Sequence, residues 1–231
     1  MVVSHTIRYT TSKKAVSHDD SIWAATWPTE DKVITGSIDE TVKVWKPATE
    51  KNSDQPPLEV TSTMPGHFLG VVSLSSSTDG RLCAVSSLDG RVKVWNVEDK
   101  PSVLKVIDPG PVEAWTVAFN PMASLLASGS QSGHVNVFAV ADKTESGGDN
   151  NKPEHTIDLK GKFILCVAYS PCGRLLASGA QDGLVCLIDS ATGNLIRKLD
   201  AHTKVPTPHF SFSSRWYLRH STAYLCAATL C

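Results

Sequence analysis

Apolar and polar residues alternate with period two in short runs along this chain, a pattern that is typical of half-buried β-strands. The clearest runs are Val42-Lys43-Val44-Trp45 and Val92-Lys93-Val94-Trp95. Each run closes a longer stretch that recurs four times, at 33–45, 83–95, 126–138 and 176–188. The final residues of these stretches are 50, 43 and 50 positions apart. A self-similar unit of roughly 40–50 residues predicts stacked small sheets, because one unit cannot bury its own apolar faces.

Each unit combines four predicted strands with two kinds of turn. The first strand ends in an aromatic residue in three units, at Trp27, Phe119 and Tyr169. A run of small residues such as 126–130 predicts a second strand that is packed closely between neighbours. Asp-Gly pairs such as Asp89-Gly90 predict the hairpin turn before the third strand. We expect the outer strands at 58–63, 103–107, 155–159 and 195–199. Helix signals are almost absent, so the fold class is all-β.

Composition narrows the choice of function. The 231 residues carry a net charge of -1, a pI of about 6.7 and a mean hydropathy of -0.09. Without a basic block, direct binding to nucleic acid is not expected. No run approaches the ~20 apolar residues of a membrane span, and the N-terminus lacks a secretion signal. We therefore expect a cytoplasmic and nuclear protein with no membrane contact, in which the six cysteines are reduced thiols.

The candidate catalytic residues recur at fixed repeat positions. Ser37 and Ser87 occupy one position of the repeat, and Asp39 and Asp89 occupy another. Recurrence favours structural roles over a nucleophile or paired carboxylates, since a catalytic site belongs at one place. No Gly-x-Ser-x-Gly elbow and no His/Cys cluster at zinc spacing is present. We predict no enzyme activity, no cofactor and no metal site.

With these features the chain resembles the WD-repeat β-propeller family. The residues that carry the resemblance are Gly66-His67 at one end of a unit, with Ser87, Asp89 and Trp95 at the other. In this family a His, a Ser, an Asp and a Trp form a hydrogen-bonded tetrad inside a blade. The resemblance implies two such tetrads here: His18, Ser37, Asp39 and Trp45, and His67, Ser87, Asp89 and Trp95.

The third and fourth units depart from the family pattern. Ser132 and Phe138 stand where the first two units have Asp and Trp, and the fourth unit has Ala180 and Ile188. The cores of these two units must therefore depend on apolar packing.

The chain is similar, within that family, to the WD-repeat subunits shared by the superkiller (Ski) complex and the Paf transcription-elongation complex. The similarity lies in 18–23, 110–119 and 161–171. It implies a protein-interaction scaffold whose partners are the tetratricopeptide-repeat and helicase subunits of the superkiller complex, which acts in mRNA decay, and Paf subunits. A substrate receptor of a ubiquitin ligase, or a reader of histone tails, would use the same propeller face and stays open.

Five residues are candidates for that partner-binding face. Trp23 and Trp115 occupy a position held by Val71 and Leu165 in the other units, and the family places it near the mouth of the central channel. Packing in the core is an equal alternative for both tryptophans. Three flanking residues join the candidate set: Asp20, Glu113 and Phe163.

The family resemblance also predicts the domain organisation. We expect four blades at 16–63, 64–107, 108–159 and 160–203, from a ring of seven. Residues 1–15 contain a candidate closing strand, and 204–231 form a poorly ordered tail unlike a blade. A splice or reading-frame change would explain such a tail. We expect an open arc of blades, with exposed apolar faces on the first and the fourth.

Overall fold

A computed structural model of the chain describes residues 18–48, 58–110, 114–141, 152–160 and 162–200. These residues form sixteen strands in four antiparallel sheets, here called blades 1 to 4. Blade 1 contains β1 (Ile22–Thr29), β2 (Lys32–Ser37), β3 (Val42–Pro47) and β4 (Leu58–Met64). Blade 2 contains β5 (Val71–Ser76), β6 (Leu82–Ser87), β7 (Val92–Asn96) and β8 (Ser102–Ile107). Blade 3 contains β9 (Thr116–Phe119), β10 (Leu125–Gly129), β11 (His134–Ala139) and β12 (His155–Asp158). Blade 4 contains β13 (Ile164–Tyr169), β14 (Leu175–Ala180), β15 (Leu184–Asp189) and β16 (Leu195–Asp200).

The prediction of an all-β fold with four-stranded antiparallel blades is confirmed, since strands pair in chain order in every sheet. Across the five described ranges, no helix has the length and the hydropathy that crossing a bilayer requires. The predicted N-terminal segment at 1–15 and the predicted tail at 204–231 lie outside the described residues.

The hairpin turns between second and third strands follow from their sequences. Gly90 and Gly183 adopt φ angles of 84° and 89°, in the left-handed region that glycine enters without steric cost. Each follows an aspartate whose carboxylate accepts the backbone N–H two residues onward, at 2.9 Å for Asp89 and 3.1 Å for Asp182. The prediction of Asp-Gly hairpins is therefore confirmed.

The blades stack through their inner strands. β1 contacts β5, β5 contacts β9, and β9 contacts β13. β13 and β1 are not joined by comparable contacts within the described ranges, so the four blades form an open arc. Small residues allow the close approach: a Cβ at Gly36 would lie 2.5 Å from Val71 Cγ1, and one at Gly129 would lie 2.6 Å from Ile164 Cγ2.

Three apolar cores fill the spaces between the four blades. Each core joins the far face of one blade to the near face of the next. Between blades 1 and 2, for example, Ile34 and Val44 contact the layer that contains Val71, Cys83 and Trp95. The repeat predicts this stacking, which buries almost all of the apolar side chains of β6, β10 and β14.

The two outermost faces of the arc differ from each other. On blade 1, Trp27 is 67% exposed, whereas Phe119 and Tyr169 at the equivalent positions of blades 3 and 4 are 7% and 8% exposed. The expected exposed apolar face is therefore present on blade 1. On blade 4 it is not, because Val185 and Leu187 are buried.

Cysteines occupy two different environments. Cys83, Cys166 and Cys186 are free thiols buried in the blades. Desolvation raises the pKa of Cys83 and of Cys166 to about 12, so both thiols stay protonated and inert. Cys172, in an exposed turn, is disulfide-bonded. The prediction that all six thiols are reduced is wrong at this position.

Candidate functional site

The blade-internal network around Trp45 is the most complete polar network in blade 1. Asp39 Oδ2 lies 2.8 Å from His18 Nδ1, and His18 Nε2 lies 2.8 Å from Thr35 Oγ1. Thr35 Oγ1 in turn accepts the Trp45 indole N–H at 2.8 Å. The Asp39 carboxylate accepts the N–H proton of His18 Nδ1. The other ring nitrogen, Nε2, is then unprotonated and accepts the Thr35 hydroxyl. The chain of bonds therefore runs in one direction, from the indole to the carboxylate.

This geometry corrects the predicted membership of the first tetrad, since Thr35 and not Ser37 links His18 to Trp45. Thr35 stands two residues after Val33, the strand partner of Trp45, and so lies on the same face of the sheet. Ser37 stands at the end of β2. Its hydroxyl donates to the Asp20 carbonyl at 3.1 Å and accepts the Asp39 N–H at 3.1 Å, which fixes the turn.

Asp39 is held as a carboxylate. Burial, the largest effect, raises its pKa, but hydrogen bonds from Thr41, the Asp19 N–H and His18 together outweigh it and lower the pKa to about 2. The charge of Asp39 thus orients the ring of His18, whose side chain is fully buried. These residues are engaged with one another and are not presented to a substrate.

Blade 2 has a shorter version of the network. Trp95 Nε1 donates directly to His67 Nε2 at 3.2 Å, because Val85 stands where blade 1 has Thr35. Asp89 accepts the Arg91 N–H, and Ser87 donates to the Phe68 carbonyl. The predicted four-residue tetrad is therefore wrong for blade 2: valine supplies no hydroxyl, so only His67 and Trp95 form its interior bond. Desolvation, with the nearby Lys93 charge, lowers the pKa of His67 to about 4.

The top face of the arc is the end of the blades that carries the turns between second and third strands. At this end β1, β5 and β13 each contain an irregularity of one residue in their pairing, at Trp23, Val72 and Leu165. Trp115, just before β9, donates its backbone N–H to Gly129 at 2.9 Å and occupies the matching position. The prediction of Val71 for this position is wrong: Val72 holds it, because Val71 pairs with Ser87 as Ile22 pairs with Ser37.

These four residues surround one cavity of about 380 Å³ between the inner strands. Its wall is formed by three residues from the start of each inner strand, at 23–25, 72–74, 115–117 and 165–167. Trp23 is 51% exposed, and Trp115 is half-buried. The Trp115 ring meets Phe163 edge to face, with ring centroids 4.9 Å apart and planes at 74°. Trp23, Trp115 and Phe163 are called the channel-mouth cluster below.

Of the two remaining candidates for the partner-binding face, the structure describes only Asp20. Asp20 is exposed on the loop before β1, two residues from Ile22, and its carboxylate accepts the Ser21 N–H at 2.6 Å. Glu113 lies outside the described residues. The structure therefore brings the two tryptophans to one cavity, with Phe163 against the Trp115 ring and Asp20 on the loop before β1.

Sequence reasoning missed a second apolar feature of the top face. Phe68, Leu69 and Leu88, called the top patch below, are 62%, 64% and 45% exposed. Leu69 has a φ of 64°, which is uncommon for a bulky residue, and donates its N–H to Glu40 at 3.2 Å. The only signal in the sequence is an apolar pair in a loop between His67 and Gly70.

The top face near blade 1 is acidic. Asp19, Asp20 and Glu40 are exposed there, and none of the three pairs with a lysine or arginine of the part of the chain that the structure describes. Within the same ranges, no group of three His, Cys, Asp or Glu side chains is arranged to hold a metal ion. The surface thus combines exposed apolar side chains with carboxylates that pair with no lysine or arginine of the described residues.

Comparison with known families defines the class of protein. Residues 10–46 and 58–96 match the family model described as WD domain, G-beta repeat. Residues 117–213 match the model described as Anaphase-promoting complex subunit 4 WD40 domain. The chain therefore carries WD40 repeats, and its four sheets are blades of a WD40 β-propeller.

Individual relatives refine this picture. The chain is similar to WD repeat-containing protein VIP3 of Arabidopsis thaliana, at 37% identity over 209 residues, or 85% of this chain and 62% of the relative. It is similar to WD repeat-containing protein SL1-17 of Schistosoma mansoni, at 34% identity over 202 residues with the same two coverages. Superkiller complex protein 8 of Dictyostelium discoideum is 30% identical over 116 residues, or 50% of this chain and 36% of the relative. The chain thus spans less than two thirds of the length of these relatives.

Proposed function

We propose that this chain is a non-catalytic scaffold that binds short segments of partner proteins on its top face. The observation that carries the proposal is the convergence of Trp23, Val72, Trp115 and Leu165 on one cavity, with Trp23 half exposed at its mouth. Tryptophan is enriched at the energetic centres of interfaces, because it buries a large area at a small cost in side-chain entropy.

The chemistry of the top face indicates what kind of segment would bind. We propose that the cavity of about 380 Å³, which Trp23 and Trp115 border, accommodates an apolar side chain. The carboxylates of Asp19, Asp20 and Glu40 favour a lysine or arginine next to them. We therefore propose a partner segment that combines an apolar anchor with a nearby cation.

We further propose that the partners belong to the superkiller complex, as its tetratricopeptide-repeat and helicase subunits, or to the Paf complex. The similarity to superkiller complex protein 8 supports the first assignment, and the resemblance described from the sequence supports both. A subunit shared by these complexes would be present in the cytoplasm and the nucleus.

A second candidate is a ubiquitin-ligase substrate receptor or a reader of histone tails. The aromatic pair Trp115 and Phe163 favours the reader of histone tails, because aromatic faces attract methylated lysine through cation–π contacts. The same face serves both candidates, so the identity of the bound proteins decides between them.

The test is affinity purification of the full chain from cells, with identification of bound proteins by mass spectrometry. The variant Trp23→Ala/Trp115→Ala removes the channel-mouth indoles. Trp27→Ala is the matched control, since Trp27 lies on the same strand as Trp23 but outside the cavity wall. Melting temperatures of all three proteins are measured in parallel.

We expect the double variant to lose its partners while Trp27→Ala retains them. A double variant that melts early yet still binds would return both tryptophans to the core and refute the proposed site. Recovery of ligase subunits or histones, in place of superkiller or Paf subunits, would overturn the assignment to those complexes while leaving the site intact.

A further inference from the structure

The outer edge of blade 2 is unusually apolar for an exposed strand. In β8, Val103, Leu104 and Val106 are 42%, 50% and 45% exposed, and the only other exposed residue is Ser102. A free strand edge offers unpaired backbone groups to any second strand. Soluble proteins normally protect such edges with charged side chains. On β8 no charged side chain faces solvent.

The other outer strands do carry exposed charge. Glu59 is exposed on β4, Asp158 on β12, and Arg197 and Lys198 on β16. β16 is the best comparison, because Ile196 is the extra residue of a pairing irregularity at the position that Leu104 holds in β8. Ile196 is 56% exposed, but the residues that follow it are charged.

The single charged residue of β8 is withdrawn from the edge. Lys105 is 8% exposed, and its Nζ donates to the Ala139 carbonyl of blade 3 at 3.0 Å. The ammonium group therefore ties blade 2 to blade 3 and does not repel a strand that approaches β8. A second strand could pack there without disturbing this bond.

The ends of β8 show what kind of strand fits. Pro101 precedes it and Pro109 follows Asp108, and proline cannot donate to a strand ladder, so the usable edge is short. Lys100 lies before the first end. Asp108 lies just after the last residue of β8. Its Oδ2 is 3.3 Å from Arg91 Nε. A strand that runs antiparallel to β8 thus needs a base at its start and an acid at its end.

β8 itself meets these requirements. We propose that β8 is a self-association edge, which packs antiparallel against β8 of a second copy of this chain. The two-fold arrangement places Lys100 of each copy near Asp108 of the other and covers Val103, Leu104 and Val106. Leu104 interrupts the pairing of β8 with β7, so apolar contact contributes more than backbone hydrogen bonds. The contact is small, and the dimer is therefore weak and concentration-dependent.

The test is sedimentation velocity of the full chain over a range of concentrations. We expect the average mass to rise from 24.8 kDa towards twice that value. Leu104→Lys should abolish the rise, because it puts a charge at the centre of the contact. Ile196→Lys is the matched control and should leave the rise unchanged. Circular dichroism of each variant shows that the fold is retained.

Charge reversal identifies the occupant as a second copy. In a dimer of the Asp108→Lys variant, the new lysine of each copy lies near Lys100 of the other, so the two like charges repel. We expect the dissociation constant to rise about tenfold. Mixing Asp108→Lys with Lys100→Glu restores both attractive pairs, so the mixture should associate as the natural chain does. The proposal is overturned if the natural chain stays at 24.8 kDa at its highest soluble concentration, or if the mixture associates no better than Asp108→Lys alone.

Discussion

Replacing Thr35 by valine removes the central member of the network in blade 1 and keeps its shape. Thr35 Oγ1 accepts the Trp45 N–H and donates to His18 Nε2, each at 2.8 Å. Trp45 is 5% exposed and the His18 side chain is fully buried, so water cannot replace the lost partners. Each buried group left without a partner costs about 1–3 kcal/mol. We expect Thr35→Val to lower the free energy of unfolding by about 2–4 kcal/mol.

Two controls separate the hydroxyl from the rest of the side chain. Thr35→Ser keeps both hydrogen bonds and loses one methyl group, at a cost of about 1 kcal/mol. Ser37→Ala removes the residue that sequence reasoning had placed in the network, and we expect a loss of about 1 kcal/mol from its two turn bonds. Urea denaturation followed by circular dichroism measures all three variants.

Blade 2 supplies the result that would refute this reasoning. There, valine at the equivalent position 85 is compatible with a direct bond from Trp95 to His67. If Trp45 could move to donate to His18 in the same way, Thr35→Val would cost no more than Thr35→Ser. Equal free energies of unfolding for these two variants would mean that the hydroxyl is dispensable.

Three further predictions follow from burial and packing. The pKa of His67 is lowered from 6.5 to about 4 in the folded chain, so on acidification the unfolded chain binds a proton at a higher pH than the folded chain does. The free energy of unfolding should therefore fall by about 3 kcal/mol between pH 6.5 and pH 4. His67→Gln should remove that fall in denaturation experiments. Gly129→Ala places a Cβ 2.6 Å from Ile164 Cγ2 and should destabilise the chain by about 1–3 kcal/mol in the same assay. Cys83 and Cys166 should react with a thiol reagent only after unfolding, as mass spectrometry of labelled protein would show.

The recurrence of strands and turns was predictable from the sequence, because both depend on local chemistry. Asp-Gly pairs, period-two alternation and small-residue runs each determine a short segment without reference to the rest of the chain. Repetition at a constant interval then implied stacking. The four blades and the small residues between them follow from these local signals.

The network partners were less predictable, because they depend on register. Ser37 and Thr35 both stand on β2 and both carry a hydroxyl, and only the pairing of Val33 with Trp45 shows which one lies beneath the indole. The same limit applies to Val71 and Val72. An irregularity of one residue moves the next side chain to the other face, and alternation in a single strand does not reveal it.

The top patch could not be predicted, because exposure of apolar residues in a loop is decided by tertiary structure. Phe68 and Leu69 are as apolar as residues that fill the cores, and nothing local distinguishes them. Their exposure follows from the turn geometry at Leu69 and Gly70, whose φ angles are 64° and 92°.

The repeat position of Trp45 is filled and surrounded differently in the four blades. Trp45, Trp95, Phe138 and Ile188 hold the same repeat position. In blades 2 to 4 this position lies against the preceding blade, inside an apolar core. Blade 1 has no preceding blade among the described residues, and there Trp45 is 5% exposed and Thr35, bonded in turn to His18, accepts its indole N–H. In blade 2 the indole has both, since Trp95 lies in the core against blade 1 and also donates to His67. Blades 3 and 4 have Phe138 and Ile188 in place of the indole, but they keep a buried hydroxyl, that of Ser128 and Ser178, at the position of Thr35.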